Sequence, residues 1–159
     1  MRIKKIVSGG QTGVDRAGLD IAIRHNIPHG GWCPRGRRAE DGTIDPVYRL
    51  VETDSHDYSV RTGHNVRDSD GTLVLNTGTL DGGTAYTVQL ARSMGKPCLI
   101  VDISLPLETA KVNTWLADNH IQILNIAGPR ESKSPGIYSR AMSELNRILS
   151  SIDGPQSEL

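Results

Sequence analysis

The segment from Ile6 to Asp20, IVSGGQTGVDRAGLD, limits the possible folds most, because a short apolar run leads through glycines directly into a helical pattern. Such a turn leaves the first amide groups of the helix without partners, and the helix dipole favours an anion beside them. Thr12 is the expected N-cap, and Asp15 completes a capping box. The glycine spacing matches neither the dinucleotide fingerprint nor a P-loop, so the kind of anion stays open, and a plain connecting turn is the alternative. The predicted ligand contacts are Gly9, Gly10, Gln11, Thr12 and Gly13.

Strand and helix patterns alternate along the chain, which predicts an α/β fold, a three-layer sandwich whose mostly parallel sheet has helices on both faces. The clearest strand is Gly71–Asn76, where the apolar run is continuous, as in strands covered on both faces. The stretch Ile27–Pro46 has no periodicity and is predicted to be a functional loop. The last helix is expected to begin at Pro135, with Ser134 as its N-cap.

The length and charge of the chain limit its partners. With 159 residues, we expect one ligand-binding domain over residues 1–152 and a polar tail over residues 153–159. The 18 basic and 18 acidic residues cancel, which argues against nucleic acid and anionic membranes as partners. Cys33 and Cys98 are too far apart for a zinc knuckle, and there is neither a signal peptide nor a long apolar run. A cytoplasmic location is therefore expected.

Three glycine-rich loops follow predicted strands and should meet at the carboxyl edge of the sheet, where such folds bind ligands: Gly9–Gly13, Asn76–Thr84 and Gly128–Ser132. The second loop repeats the logic of the first, because a helix starts at its glycines. A run of arginines lies on another loop and could neutralise an anion, although charge runs are often only solvated. The additional predicted ligand contacts are Gly82, Gly83, Thr84, Arg35, Arg37, Arg38 and Arg130.

No residue pattern marks a catalytic or metal centre. A nucleophile elbow and paired carboxylates are missing, so no catalytic residue is assigned. Asp15 and Asp81 flank the glycine turns and could serve as a base or bind a ribose hydroxyl. Trp32 could stack on a ligand ring or belong to the core. His29 and Cys33, with His56 or His64, lack any established zinc spacing, and no metal site is predicted.

Several segments resemble those of the bacterial molybdenum carrier family, in order from residue 6 to about residue 150: SGGQTGVDRAGLD, IPHGGWCPRGRRAEDGTI, NVRDSDGTL, TGTLDGGTAYT, GKPCLIVD and LNIAGPRESKSPGIY. The resemblance implies a Rossmann-like fold related to the molybdenum cofactor carriers of algae and to the lysine-decarboxylase-like phosphoribohydrolases. It also implies a homo-oligomer, a dimer or tetramer. In those hydrolases a glutamate follows the glycine–threonine turn, whereas no carboxylate lies between Asp81 and Asp102 here.

The resemblance and the loops together lead to one functional expectation. The protein is expected to bind a phosphorylated, planar, anionic small molecule without catalysis, with the molybdenum cofactor (molybdopterin), a related pterin or a nucleotide as the cargo. Two alternatives stay open at this point. One is a nucleotide-processing enzyme of the phosphoribohydrolase type, with Asp15 or Asp81 as its acid–base group. The other is a protein that senses a nucleotide.

Overall fold

The computed structural model describes residues 3–152 of the chain. Its strands are Lys5–Val7 (β1), His29–Gly30 (β2), Trp32–Cys33 (β3), Arg38–Ala39 (β4), Gly42–Thr43 (β5), Val51–Glu52 (β6), Gly71–Asn76 (β7), Cys98–Asp102 (β8) and Ile123–Ala127 (β9). Its helices are Val14–Arg24 (α1), Tyr58–Arg67 (α2), Gly82–Ser93 (α3), Thr109–Asp118 (α4) and Ile137–Ile152 (α5). Strands and helices therefore alternate through most of the described chain, as the sequence predicts.

The centre of the fold is a five-stranded sheet in the order β2-β1-β9-β7-β8, with all neighbouring strands parallel. All six residues of β7 are buried, because β9 and β8 cover its edges and helices cover its faces. The side chains of Leu73, Val74 and Leu75 are fully buried, which confirms the prediction from the continuous apolar run. β1, β9 and β7 lie side by side, so the loops that follow them leave the sheet close together.

The helices form two layers around this sheet. α1 packs against α5, and α5 packs against α4, while α2 packs against α3. The apolar positions of α5 recur at helical spacing and are all buried: Ile137, Ala141, Leu145 and Ile148. The Rossmann-like α/β prediction is confirmed by this arrangement.

The stretch Ile27–Pro46 is more ordered than the predicted loop. It holds β2 of the main sheet and β3, which pairs with β6, as well as the antiparallel pair β4–β5. Arg37 organises the segment that follows, because its guanidinium donates hydrogen bonds to backbone carbonyls up to thirteen residues away. Its acceptors are the carbonyls of Ile44 (3.1 Å), Asp45 (2.9 Å), Tyr48 (2.8 Å) and Leu50 (3.4 Å).

Two predicted helix caps are wrong. The N-cap of α1 is Gly13, and the Thr12 hydroxyl instead donates to Glu40 and accepts from the amide of Glu131 at 3.1 Å. Helix α5 begins at Ile137 rather than at Pro135. The Glu131 carboxylate accepts hydrogen bonds from the amides of Gly136 (3.1 Å) and Tyr138 (3.2 Å) at this helix start. The Ser134 hydroxyl instead accepts a hydrogen bond from the hydroxyl of Thr77. In each case a residue distant in sequence competes for the expected capping group.

Only part of the predicted division into a domain and a C-terminal tail falls within the described residues. The predicted tail, residues 153–159, lies outside the described residues, and the extent of the domain stays a prediction. Across residues 3–152, no helix combines the length and apolar character that a membrane span requires.

Candidate functional site

A recess of about 300 Å³ opens at the carboxyl edge of the sheet. Three loops line it, namely those that follow β1, β7 and β9, together with one side of α2. The residues that matter for its chemistry are Gln11, Asp15, Arg61, Gly82, Gly83, Thr84, Arg130 and Lys133. Of the predicted ligand contacts, the structure therefore brings five to this recess: Gln11, Gly82, Gly83, Thr84 and Arg130.

The amino end of α3 supplies hydrogen-bond donors to the recess. Within the described chain, the backbone amides of Gly82, Gly83 and Thr84 donate to no protein acceptor. Asp81 occupies the N-cap position but its carboxylate does not cap the helix; it pairs with the ammonium of Lys133 at 2.8 Å. Adjacent free amides at a helix start favour an anion, because the donors and the helix dipole act together.

Arg61 of α2 is the most buried cation of the recess, with 13% of its side chain exposed. Its Nη1 donates to the hydroxyl of Thr62 at 2.7 Å, and its guanidinium lies 5.5 Å from the ring centre of Tyr58. Its Nε is buried and has no acceptor among residues 3–152. A Cβ on Gly9 would lie 2.6 Å from this Nε, so a residue without a side chain is needed there. Gly9 thus makes room for a cation rather than contacting the recess directly.

Asp15 of α1 forms part of the recess floor, with only 7% of its side chain exposed. Its Oδ2 accepts the amide of Gln11 at 3.3 Å and lies 3.8 Å from Nη2 of Arg61. Burial raises the pKa of this carboxyl above its ordinary value, and Arg61 and the Gln11 amide offset the rise only in part. The predicted capping box is wrong, because Asp15 accepts the amide of Gln11, whereas the amide of Thr12 donates to the Gln11 side chain.

Several backbone amides of the first glycine loop already donate hydrogen bonds to side chains of the protein. The amide of Gly10 donates to the Ser8 hydroxyl at 3.3 Å, and that of Thr12 donates to the Gln11 side chain at 3.0 Å. Gly13 has a φ of 78°, and a Cβ there would lie 2.3 Å from the carbonyl oxygen of Pro129. Close packing between loops accounts for Gly13, and Gln11 is the loop residue that lines the recess.

Glu40 connects the β4–β5 hairpin to the wall of the recess. Its carboxylate accepts hydrogen bonds from the Thr12 hydroxyl, from the amide of Ser132 at 3.1 Å and from the hydroxyl of Ser132 at 2.5 Å. Nε of Arg130 lies 3.3 Å from the same carboxylate. The loop after β9 is thereby held against both the first glycine loop and the hairpin.

The arginine run does not reach the recess. The Arg37 guanidinium donates its hydrogen bonds to backbone carbonyls. Arg35 and Arg38 are exposed and do not line the recess. Trp32 also lies elsewhere: its indole N–H donates to Asp68 at 2.9 Å and its ring packs beside His64. Among residues 3–152, no three His, Cys, Asp or Glu side chains gather closely enough to hold a metal ion.

Sequence reasoning missed Arg61 and Lys133, two of the three cations that line the recess. Neither belongs to a motif, and each acquires its role through a partner distant in sequence, Asp15 for Arg61 and Asp81 for Lys133. One weak signal exists in α2, which has few apolar residues and buries the polar side chains of Thr62 and Asn65. A helix that turns polar residues inward indicates a polar neighbour, such as a binding site.

Chemically, the recess suits the binding of an anion. Three cations and three unpaired amides face two carboxylates, and no serine, cysteine or histidine is paired as an activated nucleophile in its lining. Its volume lies at the lower end of the range for small-molecule pockets.

Comparison with known proteins agrees with this fold. A family model described as the circularly permutated YpsA SLOG family matches residues 6–149. The crystal structure of a "Putative molybdenum carrier protein" from Syntrophus aciditrophicus SB is 50% identical to this chain, with a TM-score of 0.89, over 92% of this chain and 94% of that chain. No curated protein matches the chain. These matches confirm the resemblance found in the sequence. The chain belongs to the circularly permutated YpsA SLOG family.

Proposed function

We propose that the recess binds a phosphorylated, anionic small molecule of the molybdopterin type and that the protein carries this molecule without chemical change. The name of the Syntrophus protein supports a carrier role, and the sequence resemblance points to the same cargo. A cytoplasmic location is part of this proposal, because Cys33 and Cys98 are free thiols, as is usual in a reducing compartment.

One observation carries the proposal: the unpaired amides of Gly82, Gly83 and Thr84 lie in the same recess as Arg61, Arg130 and Lys133. A phosphate offers several acceptor oxygens and two negative charges, which match such a set of donors and cations. Tyr58 and Tyr86 also line the recess and offer aromatic surface to a ring. The residues present therefore fit a phosphorylated ring compound.

Calorimetric titration with purified molybdopterin and with a panel of nucleoside monophosphates tests the proposal. We expect saturable binding of at least one of them, weakened roughly tenfold in Lys133→Ala, because a charge-assisted contact to the phosphate is lost. Lys111→Ala is the matched control, since Lys111 is an exposed lysine of α4 that does not line the recess. Absence of binding by every phosphorylated compound would remove the proposal.

A second candidate, a nucleotide-processing enzyme, is favoured by the buried carboxylate of Asp15 on the recess floor. Against it stands α3, which has no carboxylate where the related hydrolases place their glutamate. The enzyme would release free base or ribose phosphate from nucleoside monophosphates, and Asp15→Asn or Asp81→Asn would abolish the release. No release by the purified wild-type protein would exclude this candidate.

We also propose that the protein forms a homo-oligomer, as the resemblance implies. Strand β8 is an edge of the main sheet, and the exposed side chains of Ile100 and Leu105 lie on and just after it. An exposed apolar edge is a common contact between copies. Light scattering on the purified protein tests this, and a monomer at all concentrations would contradict it.

A further inference from the structure

Oδ1 of Asp15, at the floor of the recess, accepts no hydrogen bond from the part of the chain that the structure describes. Asp15 is more than nine-tenths buried, yet all its recorded side-chain partners, the Gln11 amide and Arg61, contact Oδ2. Oδ1 accepts no hydrogen bond from any described residue, and it is not among the side-chain atoms that are both fully buried and unpartnered. Oδ1 is therefore accessible from the cavities that Asp15 lines, and the recess is the larger of these cavities.

An anion in this recess would meet an unfavourable neighbour in an ionised Asp15. Two like charges in a poorly solvated site repel each other, and one of them usually takes a proton, as paired carboxylates do. Oδ2 already accepts the Gln11 amide and lies 3.8 Å from Nη2 of Arg61, whose positive charge disfavours a proton on this oxygen. Oδ1 is free to take the proton, and a protonated Oδ1 becomes a hydrogen-bond donor to the anion.

We propose that the recess binds its anion together with one proton, which moves from solvent to Oδ1 of Asp15 and is donated in a hydrogen bond to the bound anion. Asp15 is then a ligand-binding residue whose charge changes with occupancy. The inference rests on the proposed function, because it assumes that an anion enters this recess.

The charges around Asp15 favour this coupling. Arg61 from α2 and Arg16 from α1 act on its charge directly, while Arg130 and Lys133 from the loop after β9 and Asp81 from the start of α3 line the same recess. In the empty recess the cations help to keep Asp15 ionised. An anion that pairs with these cations weakens their stabilisation of the Asp15 carboxylate, and it adds a negative charge of its own. Both effects favour the protonated carboxyl. The burial of Asp15, which raises its pKa in the free protein, acts in the same direction.

The coupling has a definite sign. Because the filled recess holds more protons than the empty one, affinity falls as pH rises through the interval between the pKa of Asp15 in the empty and in the filled protein. That interval lies above the ordinary aspartate value, since burial already raises the pKa in the empty protein. An acidic medium would promote loading, and a more alkaline one would promote release.

Calorimetry measures the proton directly. The wild-type protein is titrated with inorganic sulfate and with guanosine 5′-monophosphate in buffers of different ionisation enthalpy, at several values between about pH 5 and about pH 9. Sulfate has no proton of its own to lose in this range, so any uptake belongs to the protein. We expect up to one proton taken up per bound sulfate and an affinity that falls by up to tenfold per pH unit within the interval.

Two variants assign the proton. Asp15→Asn should take up no proton and should bind sulfate with an affinity independent of pH. Asp20→Asn is the matched control: it lies on the same helix and loses the same charge, but Asp20 faces the hydroxyls of Tyr48 and Tyr138 and does not line the recess. It should keep the uptake of the wild type. If Asp15→Asn does not fold, Asp15→Ser, which also removes the titrating carboxyl, takes its place.

The outcomes separate the two ideas. Binding of sulfate without proton uptake at any pH would overturn the role of Asp15 and leave the anion recess in place. Uptake that persists in Asp15→Asn would assign the proton to another group and also overturn it. Failure of the wild type to bind either probe or any phosphorylated compound would remove the proposed function and this inference with it.

Discussion

Gly9 shows how a single position can act on the recess without contacting the ligand. It lies at the end of β1, and Arg61 of α2 occupies the space where its side chain would be. The nearest atoms, Nε and Cζ of Arg61, belong to the far end of a flexible side chain. A larger residue at this position would therefore move the guanidinium rather than break the fold.

We expect Gly9→Ala to weaken binding of the best nucleoside monophosphate roughly tenfold, because the displaced Arg61 loses a charge-assisted contact. The melting temperature should change little. Gly63→Ala is the control, since a Cβ at Gly63 would have only Leu90 nearby, at 3.9 Å. Calorimetry and thermal unfolding of both variants measure the two effects. An unchanged affinity in Gly9→Ala would show that Arg61 does not contact the ligand.

At the scale of elements, the segment between β4 and β6 depends on Arg37. Four backbone carbonyls of this segment receive its guanidinium N–H groups, and the segment includes little regular structure to satisfy them otherwise. Arg37 has a φ of 54°, so its backbone also adopts an unusual conformation. An arginine that ties a loop together cannot serve an anion at the same time.

We expect Arg37→Ala to lower the free energy of unfolding by about 1–3 kcal/mol, because buried or half-buried carbonyls lose their donors. Arg38→Ala, at an exposed neighbouring position, should leave it within about 0.5 kcal/mol. Denaturant unfolding measures both values. If Arg37→Ala instead keeps its stability and loses ligand affinity, the original prediction that Arg37 contacts the ligand would be supported.

The sequence predicts the elements better than the contacts between them. The run through Leu73 to Leu75 and the helical spacing of α5 identify β7 and α5, because burial on both faces and one-sided burial leave local patterns. The choice of partner for Thr12 depends on Glu40, which follows 28 residues later. The choice for Arg61 depends on Gly9 and Asp15. No local pattern encodes such pairings, so the recess emerges only from the folded chain.

At the scale of the molecule, Asp20 links three distant parts of the chain. Its carboxylate accepts the hydroxyls of Tyr48 at 2.6 Å and Tyr138 at 2.5 Å, and thereby connects α1 with the loop before β6 and with α5. Burial and the hydrogen bond to Asp20 raise the pKa of Tyr138 to about 12. Tyrosine in an unfolded chain ionises near pH 10. The linkage is therefore intact below about pH 10 and is lost as pH rises through about 12.

We expect the free energy of unfolding to fall between about pH 10 and about pH 12, and to fall less steeply in Tyr138→Phe, which has no hydroxyl to ionise. At neutral pH this variant should lose about 1 kcal/mol. Alkaline titration of the tyrosinate absorbance should show one fewer ionisation near pH 12 than the wild type. Tyr86→Phe, exposed on α3, is the control. Equal pH dependence in Tyr138→Phe and the wild type would contradict the link.

Glu40 gives the molecule a further property. The hairpin that carries it lies on the outer surface, whereas its bonds to Thr12 and Ser132 end beside the recess. A protease that cut the exposed turn at Glu40 and Asp41, between β4 and β5, would remove no recess residue, yet it would loosen the anchor of the Ser132 loop. Limited digestion should therefore weaken ligand binding while the core stays folded.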